Sequence, residues 1–139
     1  MSEVSVRKLV LAEYYHTVWN EKRIEDIRRF IQPDFVAEIV AMENYEFIGP
    51  EGVEKLFNLF TNAVPDLHIE IQSMVEENDE VAIRYIATGN HVGIGHGSNP
   101  LRFLGCAWIT FEGGHMVRSM TALDHQMILQ MLGRPATLD

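Results

Sequence analysis

The sequence predicts an α+β fold, and two observations carry that prediction. Before Pro65 the chain holds three amphipathic segments with apolar residues at helical 3 and 4 spacing; from Asp66 onward the texture changes to strand-like runs separated by short turn signals. Helices first and hairpin-connected strands after them argue for segregated layers with an antiparallel sheet, and against alternating βαβ units.

Each element has its own signal. Val6, Val10, Tyr14 and Val18 recur at every fourth position, with Leu11 and Tyr15 flanking the same stripe, so the first helix is expected to end near Trp19 and Asn20. Asn20 then suits the N-cap of a second, shorter helix that buries Ile24, Ile27 and Ile31 and is stopped by Pro33. PDFVAEIVAM and YEFIG read as short extended segments around Glu43 and Asn44. Gly49 and Pro50 punctuate the chain ahead of a third helix, in which Val53, Leu56, Phe57, Phe60 and Val64 keep helical spacing until Pro65 ends it. The strands are LHIEIQSMV, VAIRYIATGNHVG, LRFLGCAWITFE and HMVRSMTALD. ENDE is a charged turn after the first, and Gly113-Gly114 a tight hairpin turn before the last. A short terminal helix through Gln126, Met127, Leu129, Gln130 and Leu132 is closed by Gly133 and Pro135.

Composition narrows the function classes. The 139 residues fit a single domain spanning 1–139, long enough to bury roughly two thirds of its unfolded surface without disulfide or metal staples. The N-terminus lacks an apolar run with a cleavage site, and no segment approaches the ~20 apolar residues that span a bilayer, so the expectation is a soluble cytoplasmic protein with no membrane partner. The lone Cys106 cannot form an internal disulfide and sits in an apolar run as a small hydrophobe. A net charge of -9 repels polyanions, and the basic residues are scattered except in EKRIEDIRR, where signs alternate as on a solvated helix face; nucleic acid is not an expected partner. No metal site is expected either, since His91 and His96 lie five apart in a glycine loop and nothing reproduces H-E-x-x-H or Cys/His spacing. A G-x-S-x-G nucleophile elbow is absent.

The chemistry concentrates in Phe111 to Gly133, where an apolar strand runs to a single carboxylate, Asp124, just before the terminal helix. Two roles fit it. As an N-cap it would accept hydrogen bonds from free amides, which lowers its pKa; as a desolvated cavity group its pKa would rise into the range useful for proton transfer. Strand parity puts Arg118, Met120, Ala122 and Asp124 on one face and Val117, Ser119, Thr121 and Leu123 on the other, unless a bulge intervenes. If Glu38 faced Asp124 across a cavity, one of the two carboxylates would be pushed to a raised pKa, giving an acid and a base in one site; on an outer face Glu38 would simply be solvated.

A series of short motifs also has a family likeness. WN before a helix, PDFV, GPEGVEKLF, VPDLHIEI, DEVAIRYIATGNHVG, F-x-G ahead of a strand, EGGHMV and D-x-x-x-I-L-Q-M-L-G follow one another from Tyr15 to Gly133. In that order they resemble the SnoaL-like polyketide cyclases of the nuclear transport factor 2-like superfamily. The resemblance implies a cone-shaped α+β fold, with three N-terminal helices packed on a curved antiparallel sheet and a short C-terminal helix. It also implies a deep apolar pocket, no cofactor, and a homodimer formed through the sheet. The implied reaction is intramolecular aldol condensation of a polyketide ester with an Asp as general acid/base. Asp124 matches that Asp, His91 the His of a T-G-T-H-x-G run that here reads T-G-N-H-V-G, Arg84 the Arg of V-A-x-R, and Tyr15 and Trp19 the aromatic positions of the first helix. The chain departs from the pattern at Glu38, where the family often has His, at Ser119 and Met120, where it often has His-Trp, and in HGSNPL, which replaces a P-T-G loop. The pocket's polar groups therefore differ, and the substrate does not carry over.

An aldol closure needs a base to take a proton alpha to a carbonyl and a donor to the developing alkoxide. Asp124 is the expected base, with His91, Arg84 or the Trp108 indole as donors; the structural alternatives are a loop-stabilising His91, an Arg84 that snorkels or pairs with a carboxylate such as Glu70, and Trp108, Tyr15 and Trp19 as core residues. Tyr15, Trp19, Glu38 and Met120 complete the expected substrate wall, with Met42, Met74 and Met116 as adaptable filler. The partner implied is a hydrophobic small molecule. The rival readings are a non-catalytic ligand-binding or dimerisation module, or an isomerase, dehydratase or epoxide hydrolase on the same cone.

Overall fold

The computed structural model describes residues 5–40, 46–92 and 100–123. Helix α1 spans Val6–Tyr14, with the Ser5 hydroxyl accepting from the Lys8 amide as its N-cap. It does not stay α-helical to Asn20: Tyr15–Asn20 winds as a π-helical turn, and Glu21 N–H donates to His16 O at 2.9 Å. Side chains five apart lie over one another on this wider turn, and Trp19 Nε1 donates to the Tyr14 hydroxyl at 3.0 Å. Tyr14, Tyr15, Val18 and Trp19 are all buried by this winding.

The second predicted helix is a shorter 3₁₀ segment, Ile24–Arg29, whose Asp26 pairs with Arg23 and Arg29 on a solvated face. Ile31 belongs instead to strand β1, Ile31–Ile39, and Pro33 lies inside that strand rather than stopping a helix. The ladder to β6 shifts register between Ile31 and Val36, so Pro33 sits in an irregularity where its missing N–H costs no ladder bond. Asn20 is not a helix cap either. Its side chain donates to Ile69 O at 2.9 Å and accepts from Ile69 N–H at 2.7 Å.

After β2 (Glu46–Ile48) and α2 (Gly49–Ala63), which has Pro50 in its first turn, come β3 (His68–Glu77), β4 (Glu80–Asn90), β5 (Pro100–Glu112) and β6 (His115–Ala122). Gly113 and Gly114, at φ 58° and 85°, supply the two positive φ values that a tight β5–β6 hairpin needs. The predicted terminal helix lies outside the described residues.

The six strands form one sheet in the order β2-β1-β6-β5-β4-β3. Four of its pairings are antiparallel, but β1 and β6 run parallel, so the sheet is mixed rather than wholly antiparallel. A tight turn forces antiparallel pairing only on strands it joins directly; β1 and β6 are separated by most of the chain, and packing alone sets their direction. One face of the sheet carries Val81, Ile83, Tyr85 and Ala87 of β4 and Phe103, Ala107, Ile109 and Phe111 of β5, all buried in one core with Val53, Leu56, Phe57 and Phe60 of α2. Its other face carries the exposed Leu104, Trp108 and Met120.

The helical segment is tied to edge strand β3 and to the residue just before it. Besides the Asn20–Ile69 pair, the Lys22 ammonium donates to Trp19 O at 2.8 Å, to Asn20 O and to Leu67 O. Burial holds the Lys22 pKa below its usual range, with the nearby Asp66 charge opposing that shift. Asn20→Ala removes both partners of the Ile69 backbone, and is expected to cost about 1–3 kcal/mol. In urea unfolding the midpoint should fall at constant slope, whereas an unchanged midpoint would remove Asn20 from this role.

Candidate functional site

Between the helical layer and the inner face of the sheet lies a cavity of about 60 Å³, several times the ~10–15 Å³ that one water needs. The π-helical turn and the end of α1 contribute Tyr14, Tyr15 and Trp19 to its wall, α2 contributes Val53, Leu56 and Phe60, and the strands contribute, among others, Tyr85, Ala87, Phe103, Ser119 and Thr121. Leu123 also lines it. Among the described residues no charged side chain reaches this wall.

The polar content of the wall is therefore a set of hydroxyls and one indole. The Trp19 indole N–H donates to the Tyr14 hydroxyl oxygen. The rings of Tyr15 and Tyr85 stand 6.2 Å apart, and neither hydroxyl has a hydrogen-bond partner among the described residues. Every fully enclosed side-chain polar atom among those residues is partnered, so these two hydroxyls border space that a water could enter.

All three phenols are shifted upward. Burial pushes Tyr14 to about 12, against a lowering from the Trp19 hydrogen bond. Burial raises Tyr15 well above the ordinary phenol value, reinforced by the neighbouring Tyr85 and Tyr14, and raises Tyr85 with a further contribution from Cys106. At neutral pH each is an uncharged O–H donor.

The strands decide which predicted residues meet this cavity. On β5 and β6 the ladder shifts register between Thr110 and Phe111, so the inward set changes from Met116 to Ser119, Thr121 and Leu123, and Arg118 and Met120 face outward. Tyr15 and Trp19 line the cavity as expected of a wall. Arg84 is exposed on the opposite face of the sheet, as are Trp108, 40% exposed, and Met120, 38% exposed. Trp108 and Met120 are directly opposite each other in the ladder there. Glu38 is on that face too, where Arg118 donates to its carboxylate, and it does not line the cavity. These four expectations are corrected by the same fact: the inward positions of β1, β4, β5 and β6 are their neighbours in sequence.

His91 is 2% exposed but is not among the cavity's lining residues. It follows Asn90, whose backbone and side chain both donate to Asp66, and precedes Val92, whose N–H donates to Ala63 O at 3.0 Å. Its setting is thus the junction of β4 with the end of α2, and it is a partnered group there. Asp124 lies outside the described residues, next in sequence to the cavity-lining Leu123; Met42 also lies outside them. Of the other methionines, Met116 lines the cavity and Met74 packs against the core.

Tyr85, Ser119 and Thr121 were not singled out as site residues by sequence reasoning. A signal for Tyr85 exists: it interrupts the inward alternation Val81, Ile83, Tyr85, Ala87 with a polar tip. Because folding raises the phenol pKa values above 10, the stabilisation is fully present below pH 10 and is lost as pH rises through the folded values, about 12 for Tyr14. In the folded protein no more than one of the four tyrosines should ionise by about pH 11 in a phenolate absorbance titration. Ionisation of two or more before unfolding would contradict the burial described.

Comparison with known proteins gives one family. The profile of the SnoaL-like polyketide cyclases matches residues 9–132. No curated protein matches the sequence. Among solved structures, a protein named as a SnoaL-like polyketide cyclase from Jannaschia sp. CCS1 superposes with a TM-score of 0.81 at 14% identity, covering 97% of this chain and 99% of its own. IdmH from Streptomyces antibioticus superposes at 0.75 with 24% identity over 91% of this chain and 98% of its own. AclR from Streptomyces galilaeus, named as a hydroxylase, gives 0.73 with 25% identity over 91% and 95%. These likenesses share the nuclear transport factor 2-like fold, and with most of its length matched by the family profile, the chain belongs to the SnoaL-like polyketide cyclase family.

Proposed function

We propose that the cavity binds a hydrophobic small molecule and that the chain performs cofactor-free acid/base chemistry of the aldol-cyclisation type on it, with Asp124 as general base and acid. The observation that carries this reading is the cavity itself: an apolar space whose described wall bears only neutral polar groups. Such a wall desolvates any carboxylate that reaches it and raises its proton affinity, and the family resemblance gives that carboxylate as Asp124. The base takes the proton alpha to one carbonyl, the resulting enolate carbon attacks a second carbonyl of the same molecule, and the alkoxide takes up a proton. The phenols of Tyr15 and Tyr85 replace His91, Arg84 and Trp108 as donors to the developing oxyanion, in a setting where a fixed donor is worth more than in water.

A second reading, a non-catalytic ligand-binding module, is favoured by one observation: no described lining residue is a carboxylate or a histidine. Asp124→Asn separates the two. On a polyketide ester with an unclosed ring, the variant should lose at least ~100-fold in kcat while ligand affinity persists. An Asn variant that still turns over sinks the catalytic assignment, and a wild type that binds without turnover favours the binding module.

We read the open face of the sheet as the surface of a homodimer, supported by Leu104, Trp108 and Met120, large apolar side chains left in solvent. Trp108→Glu should convert a dimer to a monomer in sedimentation velocity. A monomeric wild type would end this reading.

A further inference from the structure

We propose that Tyr85 is the group that binds a carbonyl or phenolic oxygen of an uncharged ligand in the cavity, and that Gly105 is the residue that sets where its hydroxyl stands; the inference rests on the cavity being a ligand site. Tyr85 and Gly105 are direct partners in the β4–β5 ladder, on the inner face. A methyl group at Gly105 would come within 2.5 Å of the Tyr85 ring, 2.6 Å of its hydroxyl oxygen and 2.7 Å of the Leu123 side chain. The phenol therefore lies across the backbone of β5, in room that exists only because position 105 has no side chain. Any other residue there displaces the ring end by about 1 Å or more, to restore ordinary contact distance.

The other polar groups of the wall leave this role to Tyr85. The Tyr14 oxygen accepts from Trp19 and keeps its own O–H as a donor, but like Tyr15 it comes from the helical segment. Tyr15 stands beside Tyr85 and can serve as a second donor, but it comes from the helical turn, whereas Tyr85 sits in the sheet with strands on both sides. The Tyr85 side chain is buried, yet its hydroxyl has no partner among the described residues. The hydroxyl borders the cavity rather than being sealed in the core, so its O–H is open to an oxygen acceptor that enters there. Because its proton is retained far above neutral pH, the group donates; because no described wall residue is cationic, the described wall does not offset the desolvation of an anion. The favoured ligand is thus neutral and presents an oxygen acceptor at this depth, and an analogue lacking that oxygen is rejected.

The test uses acetophenone labelled with carbon-13 at the carbonyl, beside its oxygen-free isostere α-methylstyrene. In the wild type, the infrared carbonyl band of bound acetophenone should fall below its position in hydrocarbon. Tyr85→Phe should move the band back toward that position and weaken acetophenone about tenfold relative to α-methylstyrene. Gly105→Ala should shift the band as well, with the Tyr85 ring signals moving in the NMR spectrum. If Gly105→Ala does not fold, the Gly105→Ala/Leu123→Ala pair, which removes one of the clashes, carries the same readout. A band unmoved by Tyr85→Phe overturns the role of Tyr85, and a band and ring signals unmoved by the alanine overturn that of Gly105. Failure of the wild type to bind either probe overturns the ligand-site reading itself.

Discussion

The two hydrogen bonds between the Asn20 side chain and the backbone of Ile69 join the helical layer to the edge of the sheet. Ile69 lies on β3, the last strand of the sheet, where outward N–H and C=O groups have no neighbouring strand to pair with. Asn20 occupies both at once, which blunts that edge and anchors the end of the π-helical turn. Lys22 draws the same turn onto Leu67, just before β3. Tyr15 and Trp19, earlier in the turn, take their places against the sheet from these anchors. Loosening them would let the aromatic wall of the cavity drift, since nothing covalent holds that layer down.

The cavity exists because large and small residues meet across the layers without interlocking fully. Aromatic side chains from the helical segment and α2 oppose an inner sheet face that includes Ala37, Ala87 and Gly105. A core packed to ordinary density would fill such space, and keeping it open forfeits dispersion contacts that a bound ligand restores. The polar groups bordering it are phenols and aliphatic hydroxyls. Burial keeps the phenols protonated, so the described wall offers hydrogen-bond donors without a field that favours charge.

The candidate site was legible only in part. Tyr15 and Trp19 reach the cavity because they belong to a helical stripe, and helical periodicity is a local property. Arg84, Trp108, Met120 and Glu38 were expected near the substrate and lie on the outer face. Their positions depend on which side of each strand meets the helices and on register shifts at β1 and β6, neither of which a period of two encodes. Tyr85 and Gly105 matter as a pair across two strands, so neither stands out alone. His91 shows the same limit: its motif is local, and its position at the β4–α2 junction is not.

Local chemistry in the sequence determined the helical and extended segments, the β5–β6 turn at Gly113-Gly114, the helix start at Pro50 and the family, because each follows from a few neighbouring side chains and their backbone preferences. Tertiary structure decided the rest. It replaced the end of the first helix with a π-helical turn, moved Ile31 and Pro33 from a helix into β1, and ran β1 parallel to β6. It also chose which strand faces enclose the cavity. These outcomes depend on contacts between residues far apart in the chain, where the energy of packing one layer on another outweighs the small preferences that a local pattern can express.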